Sequence, residues 1–327
     1  MNNVLVTGGT GLIGLELVRQ LCESGIRPRL LVRRPHRAAL LTSLDIDWVQ
    51  GDLGEVKTLE RAVAGIDTVF HLGGRASFES YRRLKPTTVD GTHALARLAA
   101  DAGAHHFVFA SSLLVYGEQD GPISASTPAH PEIDYGRAKL EAESRLAQTA
   151  SDTGMSVASV RLPHVYGPQS VLFEQIRGGQ VVFPGRMSNR CGQLHVEDAA
   201  RVLVAVGRKG WTGSSAVADE DSLSWIEFFE ILRTLYPDFR LTTLPQWLGY
   251  GGAALIEPFL SRRNTPTLYT KGTVVGFNLN LPVEPTLIWR DLDLAPRFST
   301  AREGIAAALD GYVHFRWRHP LLDRRKS

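Results

Sequence analysis

Cysteine is nearly absent: Cys22 and Cys191 are the two thiols in 327 residues. They are too few and too far apart for a metal site or a disulfide framework, so no metal is expected and a reducing, cytoplasmic setting fits. An excess of either charge is also missing. The 36 Lys and Arg against 34 Asp and Glu leave a net charge of +2, which gives no general electrostatic reason to expect a nucleic-acid partner. Lysine is scarce, with six against thirty arginines. No apolar run is long enough to span a bilayer. The longest, roughly Trp247 to Leu260, also contains Glu257 and Pro258 and reads as a buried or interfacial helix. Met1-Asn2-Asn3 passes straight into Val4-Leu5-Val6 with no basic flank, signal-length apolar stretch or cleavage site, so export is not expected. Internal repeats and low-complexity tracts are lacking too. The tail from Arg316, with five basic residues and Asp323, reads most simply as a solvated end, with weak membrane-surface contact as the lesser reading. What is present is 43% hydrophobic and 21% charged residues, a composition that can bury a core, in a chain long enough for one large domain and a smaller lobe.

Short apolar runs alternate with helical patterns over the first half, which predicts an α/β, doubly wound parallel sheet of Rossmann type. The strands are read at 3–7, 29–32, 47–50, 68–72, 107–111 and 157–161. Helices are read at 12–23, closed by Gly25, and at 92–102, closed by Gly103. After about Val165 the pattern loosens into short elements such as 224–235. The division expected is a dinucleotide-binding domain over 1–167 with a return segment near 192–218. The rest, 168–327, is expected to form a smaller, mostly helical substrate lobe.

The first strand runs into Thr7-Gly8-Gly9-Thr10-Gly11-Leu12-Ile13-Gly14. Glycines at that spacing permit a tight turn, let backbone approach a pyrophosphate and allow close helix packing, while the helix N-terminus offers free N–H groups. The plainer reading, a glycine-rich turn without a ligand, is weakened by the strand-to-helix setting. The second strand ends in Leu31-Val32-Arg33-Arg34, without the acid that would accept from the ribose hydroxyls of NAD. Arg33, helped by Arg34 or Arg37, is suited instead to a 2′-phosphate, so NADP is expected, with NAD as the alternative. The plain alternative for Arg33 is an exposed loop arginine. Asp52, in Gly51-Asp52-Leu53, is placed to meet the adenine edge, and with Glu55 it also has the spacing of a capping box.

Tyr135 and Lys139 stand four positions apart, hence on one helix face. A neighbouring ammonium lowers a phenol pKa, which would equip Tyr135 for proton transfer at a carbonyl or alcohol oxygen; a surface pair of no consequence is the plain alternative. Ser112 tips the balance. It ends the fifth strand, at the carboxyl edge where open α/β sheets bind ligands, where a hydroxyl can hold the reacting oxygen.

Together these residues resemble the extended short-chain dehydrogenase/reductases, which include nucleotide-sugar epimerases, dihydroflavonol-type reductases and 3β-hydroxysteroid dehydrogenases. The resemblance covers nearly the whole chain. Thr7 to Gly14 resembles the family's cofactor loop, Gly51-Asp52-Leu53 its adenine contact, and His71-Leu72-Gly73-Gly74 its fourth-strand motif with glycines where Ala is usual, a change expected only to widen the groove. Ser111 to Gly117 resembles the catalytic-serine motif, which implies Ser112 as the active serine, with Tyr135 and Lys139 as the catalytic pair. Arg161-Leu162-Pro163-His164-Val165-Tyr166-Gly167-Pro168 resembles the segment lining the nicotinamide, which implies contacts from Pro163 and Val165. His195 to Ala200 resembles the return into the dinucleotide domain, and Asp291 to Arg297 with Glu303-Gly304-Ile305 the closing motif. One departure is Thr88, where many relatives have Asn.

The resemblance implies a small-molecule carbonyl or alcohol substrate and is compatible with a homodimer. Nucleotide-sugar dehydratases need an acidic pair directly after the active serine, where Leu113 and Leu114 stand. Epimerases commonly place an arginine on the sugar-nucleotide phosphates at the position held by Cys191, with Arg190 one residue off. The aromatic second half, including Trp225, Phe228, Trp247 and Phe277, suits a lipophilic body better than a doubly charged nucleotide, although most such residues are ordinary core. An NADP-dependent interconversion of ketone and secondary alcohol is therefore expected. A nucleotide-sugar epimerase stands second, and a non-catalytic NAD(P)-sensing protein, which would not need the Ser-Tyr-Lys set, stands third. The stretch from Trp247 to Phe259 is expected to act as a lid over the substrate.

Overall fold

The computed structural model describes residues 1–262, 269–285 and 287–318; the side chains of the basic tail lie outside the described residues. The first half runs β1 (Val4–Thr7), α1 (Leu12–Glu23), β2 (Arg29–Val32), β3 (Asp47–Gln50), α2 (Glu60–Val63), β4 (Thr68–His71), α3 (Tyr81–Leu84), α4 (Gly91–Asp101), β5 (His106–Ser112), α5 (Asp134–Thr153) and β6 (Ser156–Leu162). The second half continues with β7 (His164–Tyr166), α6 (Val171–Arg177), β8 (Gln180–Pro184), β9 (Gln193–His195), α7 (Val196–Lys209), β10 (Gly213–Ala216), α8 (Trp225–Leu235), β11 (Arg240–Leu244), α9 (Gln246–Arg262), α10 (Lys271–Gly276), α11 (Leu287–Asp291) and α12 (Ala301–Arg318).

Seven strands form one sheet in the order β10-β6-β5-β4-β1-β2-β3, and every pair is parallel. Parallel strands buried on both faces need apolar side chains on both, and the sequence supplies them alternately. Val4 and Val6 of β1 enter the core under α1 and α7, beside Leu17, Leu21 and Leu203. Leu5 points the other way, into the core shared by Leu95, Phe107 and Leu146. The chain builds outward from β1 through β2 to β3, then returns to place β4 on the other side of β1. The carboxyl ends of β1 and β4 thus flank a topological switch point, where open α/β sheets leave a crevice for a ligand.

The second half owns a separate aromatic core of Phe173, Phe183, Trp225, Phe228, Phe229 and Leu232, into which Leu113, Val115 and Tyr116 reach from the turn after β5. The two halves therefore meet immediately beyond Ser112. β8 and β11 pair in a small parallel sheet, and β7 pairs with β9. α8 begins at Ser224 with a capping box: the Ser224 hydroxyl accepts from the Glu227 N–H while the Glu227 carboxylate accepts from the Ser224 N–H.

Candidate active site

At the switch point the loop after β1 is made by glycine where nothing else fits. Gly8 has φ +73°, and a Cβ on it would lie 2.7 Å from the Leu72 backbone; a Cβ on Gly14 would lie 2.1 Å from the Gly8 carbonyl oxygen. Gly11 is different, because its Cβ would meet only that same carbonyl at 3.2 Å, so packing against the protein leaves its outer side open. α1 starts there with no side-chain cap and no acid in its first turn. Its free N–H groups, at Leu12 and Ile13 just after Thr10, and its positive dipole end stand at the carboxyl end of β1, an arrangement that fits a dinucleotide pyrophosphate.

Beneath the crevice a hydrogen-bond chain locks β1 to β4 and α4. The Gly73 N–H donates to Thr7 Oγ1 (3.0 Å), Thr7 is joined to His71 Nδ1 (2.6 Å), His71 Nε2 to Thr92 Oγ1 (2.8 Å), and Thr92 donates to the Thr88 carbonyl (2.7 Å). Because Thr92 spends its hydrogen on Thr88, His71 donates from Nε2 and accepts at Nδ1, a neutral tautomer. Burial agrees, holding its pKa down at about 3. Gly73 does not merely widen the groove as expected: a Cβ would lie 2.7 Å from Thr7 Oγ1 and 2.9 Å from Leu53, so the chain needs glycine to close this bond. Gly74 has φ +148°, and its Cβ would lie 3.5 Å from the Thr88 hydroxyl. That hydroxyl is buried without a hydrogen-bond partner among the described residues.

Leu72 and Leu53 flank the crevice, and Asp52 follows β3. The capping box expected of Asp52 and Glu55 does not form. Asp52 instead accepts the Gly54 N–H at 2.9 Å, because the following turn is too tight for a reciprocal bond and Glu55 caps nothing by its side chain. Arg33 is exposed beside it, its Nε 4.0 Å from the Asp52 carboxylate, too long and wet a pair to hold it firmly.

The carboxyl end of β5 and the first two turns of α5 carry the proposed chemistry. Ser112 Oγ accepts the Leu114 N–H at 3.2 Å, which occupies a lone pair and leaves the hydroxyl hydrogen to donate. Lys139 is buried. Its Nζ donates to the Ala110 carbonyl at 2.7 Å, and it lies 4.5 Å from the Phe109 ring centre and 5.8 Å from that of Tyr135. Burial pulls its pKa down to about 8, opposed by Glu143 one turn on. The expected lowering of the Tyr135 phenol is not what the structure has: burial against Phe78 and its neighbours raises it to about 12, so the group is a neutral acid.

Ser112, Tyr135, Pro163, His164 and Val165 line one cavity of about 200 Å³. Its far wall is Phe78, Leu114, Cys191, Trp225, Phe277 and Leu281. None of its described lining residues is Lys or Arg. Cys191 sits in this wall with its thiol pushed by burial to about 12. Arg190 turns outward, donating to the Ser222 carbonyl (3.0 Å) and pairing with Glu227 (3.3 Å). His164 meets Trp225 edge-on at 4.8 Å; its Nε2 has no partner among the described residues, and burial holds its pKa at about 4.

With this geometry in hand, comparison with known proteins is decisive for family. The model of the NAD-dependent epimerase/dehydratase family matches residues 4–217. The chain belongs to that family. It is 31% identical to a ceramide reductase of Caulobacter vibrioides over 95% of this chain and 92% of that protein. It is 32% identical to a 3-beta-hydroxysteroid dehydrogenase of Mycolicibacterium neoaurum over 70% of this chain and 68% of that one. Among solved structures, MoeE5 in complex with UDP-glucose and NAD superposes with a TM-score of 0.77 at 25% identity, covering 98% of this chain and 100% of that one.

Within this epimerase/dehydratase member, sequence reasoning missed an ion pair behind the Ser-Tyr-Lys set. Glu143 is buried, accepts from the Ser111 hydroxyl, and takes the Arg161 guanidinium at 2.7 Å, while Arg161 stacks 4.8 Å from the Tyr116 ring centre. The signal was available: Tyr135, Lys139 and Glu143 follow one another at intervals of four along one face of α5. The expected lid is also corrected. α9 does not line the cavity; Trp247, Leu255 and Phe259 on it are 72%, 75% and 68% exposed, because its small residues, not its large ones, face the protein.

Proposed function

We propose that this family member is an NADP-dependent oxidoreductase that interconverts a ketone and a secondary alcohol on a lipophilic small molecule. The observation that carries the substrate class is Cys191: where a nucleotide sugar would need a cation for its phosphates, a neutral buried thiol completes an apolar wall and Arg190 is committed to Glu227 outside it. Desolvating a diphosphate against that wall without a counter-charge is costly. The likeness to the ceramide reductase and the hydroxysteroid dehydrogenase supports the same reading.

Gly8 to Gly14 and the open end of α1 would hold the pyrophosphate, Arg33 the 2′-phosphate, Asp52 and Leu53 the adenine, and Leu72, Gly73, Gly74, Pro163 and Val165 the remainder of the cofactor. When bound, the reduced dinucleotide supplies a hydride to the carbonyl carbon. Ser112 donates its free hydroxyl hydrogen to the substrate oxygen, drawing charge onto it, and Tyr135 delivers the proton that completes the alcohol. Lys139, one of whose Nζ–H groups is donated to the Ala110 carbonyl, presents its remaining N–H groups to the nicotinamide ribose and sets a positive charge beside the developing oxyanion. The apolar wall keeps water from the reacting centre.

A nucleotide-sugar epimerase is the second reading, favoured by the full-length superposition on MoeE5. Incubation with NADPH and NADH against a panel of lipophilic ketones, then nucleotide sugars, separates them. Ketone reduction with NADPH is expected, and turnover confined to nucleotide sugars would overturn the proposal.

A further inference from the structure

The structure points to a membrane-docking face on α9, and we propose that this helix lies in the interface of an anionic lipid bilayer. Its amphipathicity is inverted relative to a helix that packs its bulk inward. Gly249 and Ala253, four apart, make the inner side: a Cβ on Gly249 would lie 2.6 Å from Pro184 at the end of β8, and Ala253 is 7% exposed. Trp247, Gly251, Leu255 and Phe259 follow at the same interval on the opposite side, joined by the half-exposed Leu248 and Ile256. Between Gln246 and Leu260 the only charged residue is Glu257, whose carboxylate accepts the Lys271 N–H at 3.2 Å.

Charge selects the occupant. Exposed Arg186 stands two residues past Pro184, where α9 docks, and exposed Lys271 begins α10 beside Glu257, so two cations and one acid adjoin the helix. A row of Trp, Leu and Phe adjoined by a net positive charge matches acyl chains below anionic headgroups, with Trp247 and Tyr250 supplying rings that favour the interface. Pairing two copies of this face would bring the net positive charge beside each helix together. The face stands on this exposure pattern alone. A further consequence rests on the reductase reading: α10 runs directly into Gly276 and Phe277, which line the substrate cavity, so a lipophilic ketone held in the bilayer would reach the site across one helix.

The test is co-sedimentation of the full chain with phosphatidylcholine vesicles containing phosphatidylglycerol, beside a Trp247→Ser/Leu255→Ser/Phe259→Ser variant checked for fold by circular dichroism. The parent is expected to bind, and the variant to bind at least about tenfold more weakly while reducing a water-soluble ketone at the parent rate. A parent that stays in the supernatant, or a variant that sediments equally, overturns the docking face. So does a dimer by light scattering that the variant dissolves without any vesicle binding, which would assign the face to a second copy of the chain. Vesicle binding with no reduction of any ketone would uphold the docking face and remove the reductase reading instead.

Discussion

Lys139→Met exchanges a buried ammonium for an uncharged side chain of similar length, and the structure gives opposite signs for its effects on stability and on function. Burial depresses Lys139 from 10.5 to about 8, which corresponds to about 3 kcal/mol held against the charged form at neutral pH. The residue is 6% exposed, so solvent screening takes little from that figure. Losing the bond to Ala110 leaves a buried carbonyl unpaired, an opposing cost of about 1–2 kcal/mol. Glu143 keeps Arg161 as its partner. The variant is therefore expected to be more stable than the parent by about 1–2 kcal/mol at pH 7, while losing cofactor affinity and turnover together. The pH dependence follows from the order of the two pKa values. Between about pH 8 and 10.5 the unfolded parent holds a proton that the folded one has released, so parental stability rises across that window and the advantage of the variant shrinks. Urea unfolding of both proteins without cofactor, at pH 7 and at points up to pH 10, reads each term. A parent more stable than the variant at pH 7 would show that the pair with Glu143 outweighs burial, and the reasoning would fail.

Tyr135→Phe should leave cofactor binding close to the parental value and cut turnover by roughly two to four decades, the usual contribution of a positioned acid; normal turnover would require another proton donor. Arg33→Asp should shift preference from NADPH towards NADH by a few kcal/mol, since a charge-assisted pair becomes a repulsion, and equal NADP and NAD affinities in the parent would refute the role of Arg33. His71, His164 and His195 are held neutral by burial at about 3, 4 and 4. Their folded pKa values lie below the unfolded one, so the stability they contribute is complete above about pH 6.5 and is lost as pH falls towards 4, at up to about 1.4 kcal/mol per pH unit for each fully differing proton. Thermal melts through that range should show Tm falling steeply, and a flat profile would mean that these rings are not buried as neutral groups.

Legibility in the sequence divided along physical lines. Strands β1, β2, β4, β5 and β6 could be read because parallel strands covered on both faces demand largely apolar runs, while β3, the exposed edge strand, was legible from its place between turns rather than from burial, and α1 ends where Gly25 allows φ +78°. The seventh strand, Gly213–Ala216, could not. Gly-Ser-Ser-Ala carries no apolar pattern, and it becomes a strand only because the free edge of β6 pairs with it from Ala158 to Arg161. The Tyr135 phenol was misread for a related reason: spacing reveals that Lys139 is a neighbour but says nothing of how deeply both are desolvated, and desolvation dominates. Asp52 took an Asx turn instead of a cap because a turn of three residues follows it where a helix was expected. The helix expected near Trp247 to Leu260 formed as α9, but its lid role was misjudged because hydropathy along a segment does not tell which side the fold presents to the core.

The division of labour between the halves explains why one family can hold reductases and nucleotide-sugar enzymes. Around the proposed reacting groups the first half of the chain is tied by bonds that make no reference to substrate: Lys139 to Ala110, and Ser111 with Arg161 to Glu143. The remaining wall comes from α8, α10 and the turn before β9, packed on a separate core. The wall can therefore change without disturbing the reacting groups, but it changes as a unit. A cation at Cys191 would be desolvated among Leu281, Trp225 and Phe277, and the acid whose field reaches it, Asp219, is itself buried and pushed towards its neutral form, so the cost is several kcal/mol unless Asp219 ionised or the bound ligand supplied the counter-charge. Arg190 cannot substitute by turning inward without leaving Glu227, which also caps α8 through Ser224. On the proposed reading, the pair that keeps Arg190 outside the cavity would contribute to substrate class beside the residues that line it.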